Sequence, residues 1–245
     1  MRTRTFTACA AVLLSAILAS AGIAAADNAL LAQWRFDSIA DGRVEDASGR
    51  GHMAVLRNPA GDKLEIVADQ VGRALKLPRK HTASFEVANS SAFDAPAAIT
   101  VMAWIRPAQK QGRGMIACKK ADPPKGGSSP GWRLSIFWGR VQFQLGSVAG
   151  KDHAVSSAEW STPPKFWSHV AATCDGQRLR LFVNAVEVKS REVAGAIAPE
   201  KRPLVLANYV GRKNAYPFLG TLDDVRIYSR ALSGAEILEI AAQRE

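Results

Sequence analysis

The feature that most constrains this chain is a run of short, strictly alternating segments cut by turn signals. Ile99-Thr-Val-Met-Ala-Trp-Ile105 puts Ile99, Val101, Ala103 and Ile105 on one side of an extended backbone and Thr100, Met102 and Trp104 on the other. Side chains alternate across a strand, and both sides here are apolar enough to be covered, which predicts a central strand. Trp132, Leu134, Ile136 and Trp138 share one face of the next strand; Gly139-Arg140 then turns the chain into Val141-Gln-Phe-Gln-Leu145, a hairpin. His169-Val-Ala-Ala-Thr-Cys174 runs into Asp175-Gly176, where Gly tolerates positive φ, and Leu179, Leu181 and Val183 then alternate with Arg178, Arg180 and Phe182. Asn184-Ala185 marks a further turn into Val186-Glu-Val-Lys-Ser190. Helix signals converge only at the end, where Ser233-Gly-Ala-Glu236 is a capping box ahead of Ile237, Leu238, Ile240 and Ala241. Many short strands without helix-length crossovers predict an all-β fold, an antiparallel two-sheet jelly-roll sandwich with a short C-terminal helix.

Composition narrows the class. The 245 residues are 47% hydrophobic and carry a formal charge of +10, with acids interspersed among the bases, which does not look like a nucleic-acid-binding tail. Arg2 and Arg4 precede an uncharged stretch from Ala8 to Ile23, and Ala24-Ala25-Ala26 offers small residues for cleavage before Asp27. Residues 1–26 therefore read as a signal peptide and 27–245 as one domain, exported to the periplasm, the cell surface or the medium. Charged residues interrupt every later apolar run, so no membrane span is expected after cleavage. An exporting compartment favours oxidised thiols and makes Cys118 and Cys174 candidates for a disulfide, the alternative being two buried free thiols.

Catalytic patterns are missing. Glycosidases need two carboxyl groups about 5 to 10 Å apart. Here Glu45-Asp46 lies in a turn, Asp223-Asp224 are adjacent and face opposite ways if extended, and Glu236 and Glu239 sit on the terminal helix. There is no Gly-x-Ser-x-Gly, no His-Glu-x-x-His and no phosphate-cradling Gly-rich loop, and His169 falls on a strand pattern. No catalytic residue is assigned.

Several segments carry a resemblance in order: Leu31-Ala-Gln-Trp-Arg-Phe-Asp37, Asp46-Ala-Ser-Gly-Arg-Gly-His52, Val71-Gly-Arg-Ala-Leu75, Ile99 to Trp104, Trp167-Ser-His-Val-Ala-Ala-Thr173 with Asp175-Gly176, Leu179 to Asn184, and Gly220-Thr-Leu-Asp-Asp-Val-Arg-Ile-Tyr228 with Arg230-Ala-Leu-Ser233. From Leu31 to Leu238 the chain resembles the laminin-G-like (LamG-like) jelly rolls of the concanavalin A-like lectin/glucanase superfamily. That fold serves lectins, adhesion modules, spacers and glycosidases alike. In relatives a calcium ion often joins an N-terminal acidic turn to acids before the last strand, and the resemblance places such an ion at Asp37, Asp46, Asp223 and Asp224. Arg50 and Ser38 depart from the pattern, and the competing reading is turn capping and salt bridges. Trp34, Phe36, Trp104 and Trp167 read as core.

Arg79, Lys80 and His81 form a basic cluster where relatives are acidic, and Arg113, Lys119, Lys120, Lys125, Arg212 and Lys213 fall in or beside expected loops. A basic rim of this kind suits acidic glycans such as uronates or sulfated sugars, the alternative being a solvated basic surface. Trp138, Trp160, Tyr209 and Tyr216 are the aromatics placed to stack on a sugar. The candidate ligand-binding residues are thus Arg79, Lys80, Trp138, Arg212 and Tyr216, in a non-catalytic module for a glycan or a cell-surface protein. The rival readings are a structural or adhesive protein–protein domain and a glycoside hydrolase with an unrecognised carboxylate pair.

Overall fold

A computed structural model describes residues 28–69, 72–93, 97–120, 127–209 and 216–243; the expected signal segment lies outside the described residues. The described strands are β1 (Leu30–Trp34), β2 (Arg43–Val44), β3 (Ala54–Arg57), β4 (Glu65–Asp69), β5 (Gly72–Lys76), β6 (Ser84–Val87), β7 (Ile99–Pro107), β8 (Arg113–Lys120), β9 (Gly131–Phe137), β10 (Arg140–Gly146), β11 (Asp152–Ser156), β12 (Ser168–Cys174), β13 (Arg178–Val183), β14 (Val186–Glu192), β15 (Leu204–Leu206) and β16 (Gly220–Tyr228), followed by helix α1 (Gly234–Ala242). They form two eight-stranded antiparallel sheets. One has the order β14-β13-β12-β7-β16-β5-β4, with β1 also paired to β16; the other runs β11-β10-β9-β8-β15-β6-β3-β2. The expected sandwich with one short terminal helix is what the chain forms.

Alternation decides which residues meet between the sheets. Ile99, Val101, Ala103 and Ile105 of β7 join Val170, Ala172 and Cys174 of β12, and Trp132, Leu134 and Ile136 of β9 face them with Val141, Phe143 and Leu145 of β10. Fully burying one such side chain contributes about 1.5–3 kcal/mol. A second apolar cluster forms on the outer face of the first sheet, where Met102, Ala171, Phe182 and Tyr228 receive Leu232, Ile237 and Ile240 of the α1 region. The Ser233 hydroxyl accepts from the Glu236 N–H while the Glu236 carboxylate accepts from the Ser233 N–H, the reciprocal cap the sequence predicts.

Three expectations are corrected. The bridge between Cys118 and Cys174 does not form, and both thiols are buried, that of Cys118 donating to the Lys120 carbonyl. Cys118 packs with Met115, Val205 and Tyr209 on the outer side of the second sheet, whereas Cys174 belongs to the core between the sheets, so the two thiols lie on different layers. Lys119 and Lys120 are not rim residues, because both side chains are fully buried. The Lys119 ammonium donates to the Asn89 side chain and the Arg202 carbonyl, and that of Lys120 to the Ser129 carbonyl and, at 2.9 Å, to Asp152. Burial pushes the Lys120 amine down, while Asp152 opposes the shift. Finally, β9 ends at Phe137 and the tight turn is Trp138-Gly139, with φ of 50° and 75°, so Trp138 leaves the strand face it was expected to share.

Candidate functional site

Two regions collect the polar and aromatic residues of interest. The first is the acidic junction where β1 meets β16. Asp46 Oδ1 accepts the Gln33 and Ser48 N–H groups and Oδ2 accepts that of His52, each at 2.9 Å. Burial would raise this carboxyl, but donors from Ser48, Gln33 and His52 outweigh it and hold it below the usual range. Gln33 also reaches across, its Nε2 donating to Asp224 Oδ1 at 2.7 Å. Asp224 stands at a register irregularity of β16 with φ 46°, so Asp223 and Asp224 are not related as extended neighbours. The Arg226 guanidinium lies 2.8 Å from Asp224 Oδ2, and Asp223 Oδ1 accepts the Asp224 N–H.

As they stand, these residues do not fit a calcium ion. Calcium needs six to eight oxygens, whereas the Asp46 oxygens already take three N–H donors and Asp224 faces a guanidinium. Asp37, half-buried after β1, does not complete a set: among the described residues no three His, Cys, Asp or Glu side chains are grouped to hold a metal.

The second region is the rim formed by the β7–β8 loop, the β9–β10 turn and the β11–β12 loop. Trp138 is 60% exposed on its turn, and Trp160 is 51% exposed with φ 65°. The Trp160 N–H donates to the Gly139 carbonyl at 3.1 Å, and the Trp138 N–H to the Gly112 carbonyl at 2.7 Å, which ties the turns together. Lys110, ion-paired to Glu159, places its ammonium 4.7 Å from the Trp160 ring centre. Phe166 is 67% exposed, and its neighbour Lys165, at φ 71°, donates its N–H to the Pro107 carbonyl at 2.7 Å.

Beside this loop a cleft of about 390 Å³ opens, with Lys76, Arg79, Arg106 and Lys165 among its lining residues. The Arg106 guanidinium stacks 5.0 Å over Trp167, and its Nη2 lies 3.5 Å from Thr221 Oγ1. Of the residues expected to bind ligand, Arg79 thus lines the cleft, Trp138 stands on the adjoining rim, and Lys80 is exposed next to Arg79. Tyr216 is elsewhere, half-buried against Tyr209 and under the Arg113 guanidinium, on the outer side of the second sheet. Arg212, Lys213, Lys125 and Val71 lie outside the described residues. Trp104 and Trp167, expected in the core, face outward from the first sheet in edge-to-face contact and are only partly buried. Sequence reading missed Lys76, Arg106, Lys165 and Phe166, which become neighbours only when β5, β7 and the β11–β12 loop meet.

A third hollow, of about 600 Å³, gathers Asp175, Glu187 and Glu236 with Arg180. Burial would raise Asp175, but the Arg180 side chain and the Gln177 and Arg178 amides hold it at about 2. The Arg230 guanidinium, with Ser233, holds Glu236 at about 2. Groups fixed as anions at neutral pH are poor general acids.

The search of curated proteins finds no match to this sequence. Solved structures share the fold at low identity. The botulinum neurotoxin serotype D ligand-binding domain in complex with N-acetylneuraminic acid superposes with a TM-score of 0.67 at 16% identity, covering 91% of this chain and 53% of that one. The binding domain of Paraclostridial Mosquitocidal Protein 1 gives 0.66 at 18% identity, covering 87% and 52%. This chain therefore spans about half the length of those toxin domains. Domain 4 of AbnA, a GH43 extracellular arabinanase from Geobacillus stearothermophilus, in complex with arabinotriose, gives 0.65 at 20% identity, covering 86% and 98%. At the sequence level, the Laminin_G_3 family model matches residues 79–238, from the cleft arginine through every strand of the rim to the terminal helix. With two antiparallel sheets, a terminal helix and that match in agreement, the chain belongs to the concanavalin A-like lectin/glucanases superfamily.

Proposed function

We propose that this chain is an exported, non-catalytic module that binds carbohydrate through the tryptophan-bearing rim. The observation that carries the reading is the pair Trp138 and Trp160, two large rings exposed to solvent on backbone with positive φ. A two-residue hairpin turn asks for positive φ and normally places Asn, Asp or Gly there. A bulky residue in that conformation costs about 1–3 kcal/mol, strain that clusters at functional sites. A flat apolar ring held outward beside cations is what the face and hydroxyls of a sugar can stack on and bond to. Support also comes from the fold's neighbours, since the neurotoxin domain is described with N-acetylneuraminic acid and the arabinanase domain with arabinotriose.

The test is calorimetric titration of the purified protein with an oligosaccharide panel, repeated with Trp138→Ala and Trp160→Ala. Each substitution should weaken binding at least tenfold, the loss of about 1.4 kcal/mol or more expected of a central aromatic contact. Unchanged affinity in both variants would remove the rim from the account.

A further inference from the structure

We propose that the cleft beside the tryptophan rim is an anion subsite, and that the glycan bound there carries a carboxylate or a sulfate. The inference rests on the carbohydrate-binding reading above and adds the chemical class of ligand.

The cleft brings together Lys76, Arg79, Arg106 and Lys165, and among the described residues no Asp or Glu lines it. Lys76 has a partner, Glu65, at 2.8 Å across the β4–β5 ladder. Arg79 and Lys165 form no ion pair among the described residues, and Arg106 has only the Trp167 ring and the Thr221 hydroxyl. Elsewhere arginines commonly find acids: Arg57 pairs with Glu86, Arg180 with Asp175, Arg226 with Asp224 and Arg230 with Glu236. Uncompensated positive charge is therefore gathered at this cleft.

A solvated basic patch would look different. Here Leu77, Pro78, Pro107 and Ala108 supply apolar walls between the charges, and low-dielectric walls focus a field that open water would screen. The guanidinium of Arg106 lies 5.0 Å over the Trp167 ring, and its N–H groups suit a planar carboxylate or a sulfate. Lys165 reaches the cleft from backbone with φ 71°, fixed by its bond to Pro107. Ala108 closes the cleft two residues before Lys110, the lysine that stands on Trp160, so the charged subsite and the stacking platform share one loop.

The experiment is calorimetric titration of the purified protein at physiological salt with three probes: a uronate oligosaccharide, the same oligosaccharide carboxyl-reduced, and a sulfated oligosaccharide. Wild type should bind an acidic probe at least about tenfold more tightly than the reduced one, with affinity falling as salt is added. The tighter of the two acidic probes identifies the anion. Arg79→Glu combined with Lys165→Glu, both on exposed side chains, should erase that preference, the loss falling on the acidic probe more than on the reduced one. Equal binding of acidic and reduced probes by wild type would overturn the anion subsite. So would indifference to the charge reversal, and the rim would then stand alone if Trp138→Ala still abolished binding. No binding of any probe by wild type would overturn both readings together.

Discussion

The acidic junction and the basic rim are both charged, both close to tryptophans and both built from segments far apart in sequence, yet they are finished differently. At the junction Asp46 takes three N–H donors, Gln33 bridges Asp46 to Asp224, and Arg226 neutralises Asp224. At the rim the arrangement is left open, with Arg79 and Lys165 unmatched by acids among the described residues and Trp138 and Trp160 turned to water on strained backbone. Satisfied polar groups belong to the scaffold. Exposed rings on strained backbone and cations without a described acidic partner are what a ligand from outside the fold can use.

Breaking the junction should have the largest effect on stability. Arg226→Met leaves Asp224 as a buried carboxylate without its guanidinium, a loss of about 3–5 kcal/mol. Urea unfolding would show the lowered midpoint, while glycan affinity of the folded fraction should not change.

The next largest effect is acid sensitivity. His169 is buried beside Asp224 and Arg226, against the Trp104 ring, and burial first, with Arg226 adding to it and Asp224 opposing, pulls it from 6.5 to about 4. Its folded value is depressed, so the unfolded chain binds the extra proton between those values and stability falls as pH drops from about 6.5 towards 4. The full shift corresponds to about 3 kcal/mol. Urea titrations at pH 7 and pH 4.5 should show this slope, and His169→Gln should flatten it.

At the rim the sign reverses. Trp138→Asn places a residue that tolerates positive φ in the turn and should leave stability unchanged or raise it by up to about 1 kcal/mol. The same change should weaken glycan binding, a trade between stability and function that a purely structural turn would not show. Smallest of all is the response to a chelator: with Arg226 and the N–H donors already holding the Asp224 and Asp46 oxygens, the thermal midpoint should not move on adding EDTA. A clear drop would mean that calcium enters the junction after all.

How much of this was legible in the sequence follows from the reach of each signal. Alternation from Ile99 to Ile105 is local, and it separated the two faces of the strand correctly. The hairpin at Asp175-Gly176 and the cap at Ser233 are equally local and also formed. Alternation says which side a residue takes but not which sheet, and so Cys118 and Cys174 were paired although they occupy different layers. Two adjacent lysines ahead of a Pro- and Gly-rich loop read as surface, yet the Ser129 carbonyl and Asp152, distant in sequence, draw Lys120 inward. Trp138 was expected to end a strand face as an aromatic that could stack on a sugar, and its place in the turn was missed because Trp is a poor residue for positive φ. The cleft had no local signature, since its four cations come from β5, the segment after it, β7 and the loop before β12.

The central claim is that ligand contacts fall on the unfinished rim and not on the finished junction. The most direct test is to follow backbone amide shifts of the labelled protein while adding the acidic oligosaccharide that binds most tightly. Perturbations confined to residues 76–79, 106–112, 138–140 and 158–167 are the predicted result. Perturbations centred on Gln33, Asp46 and Asp224, with the rim silent, would contradict it.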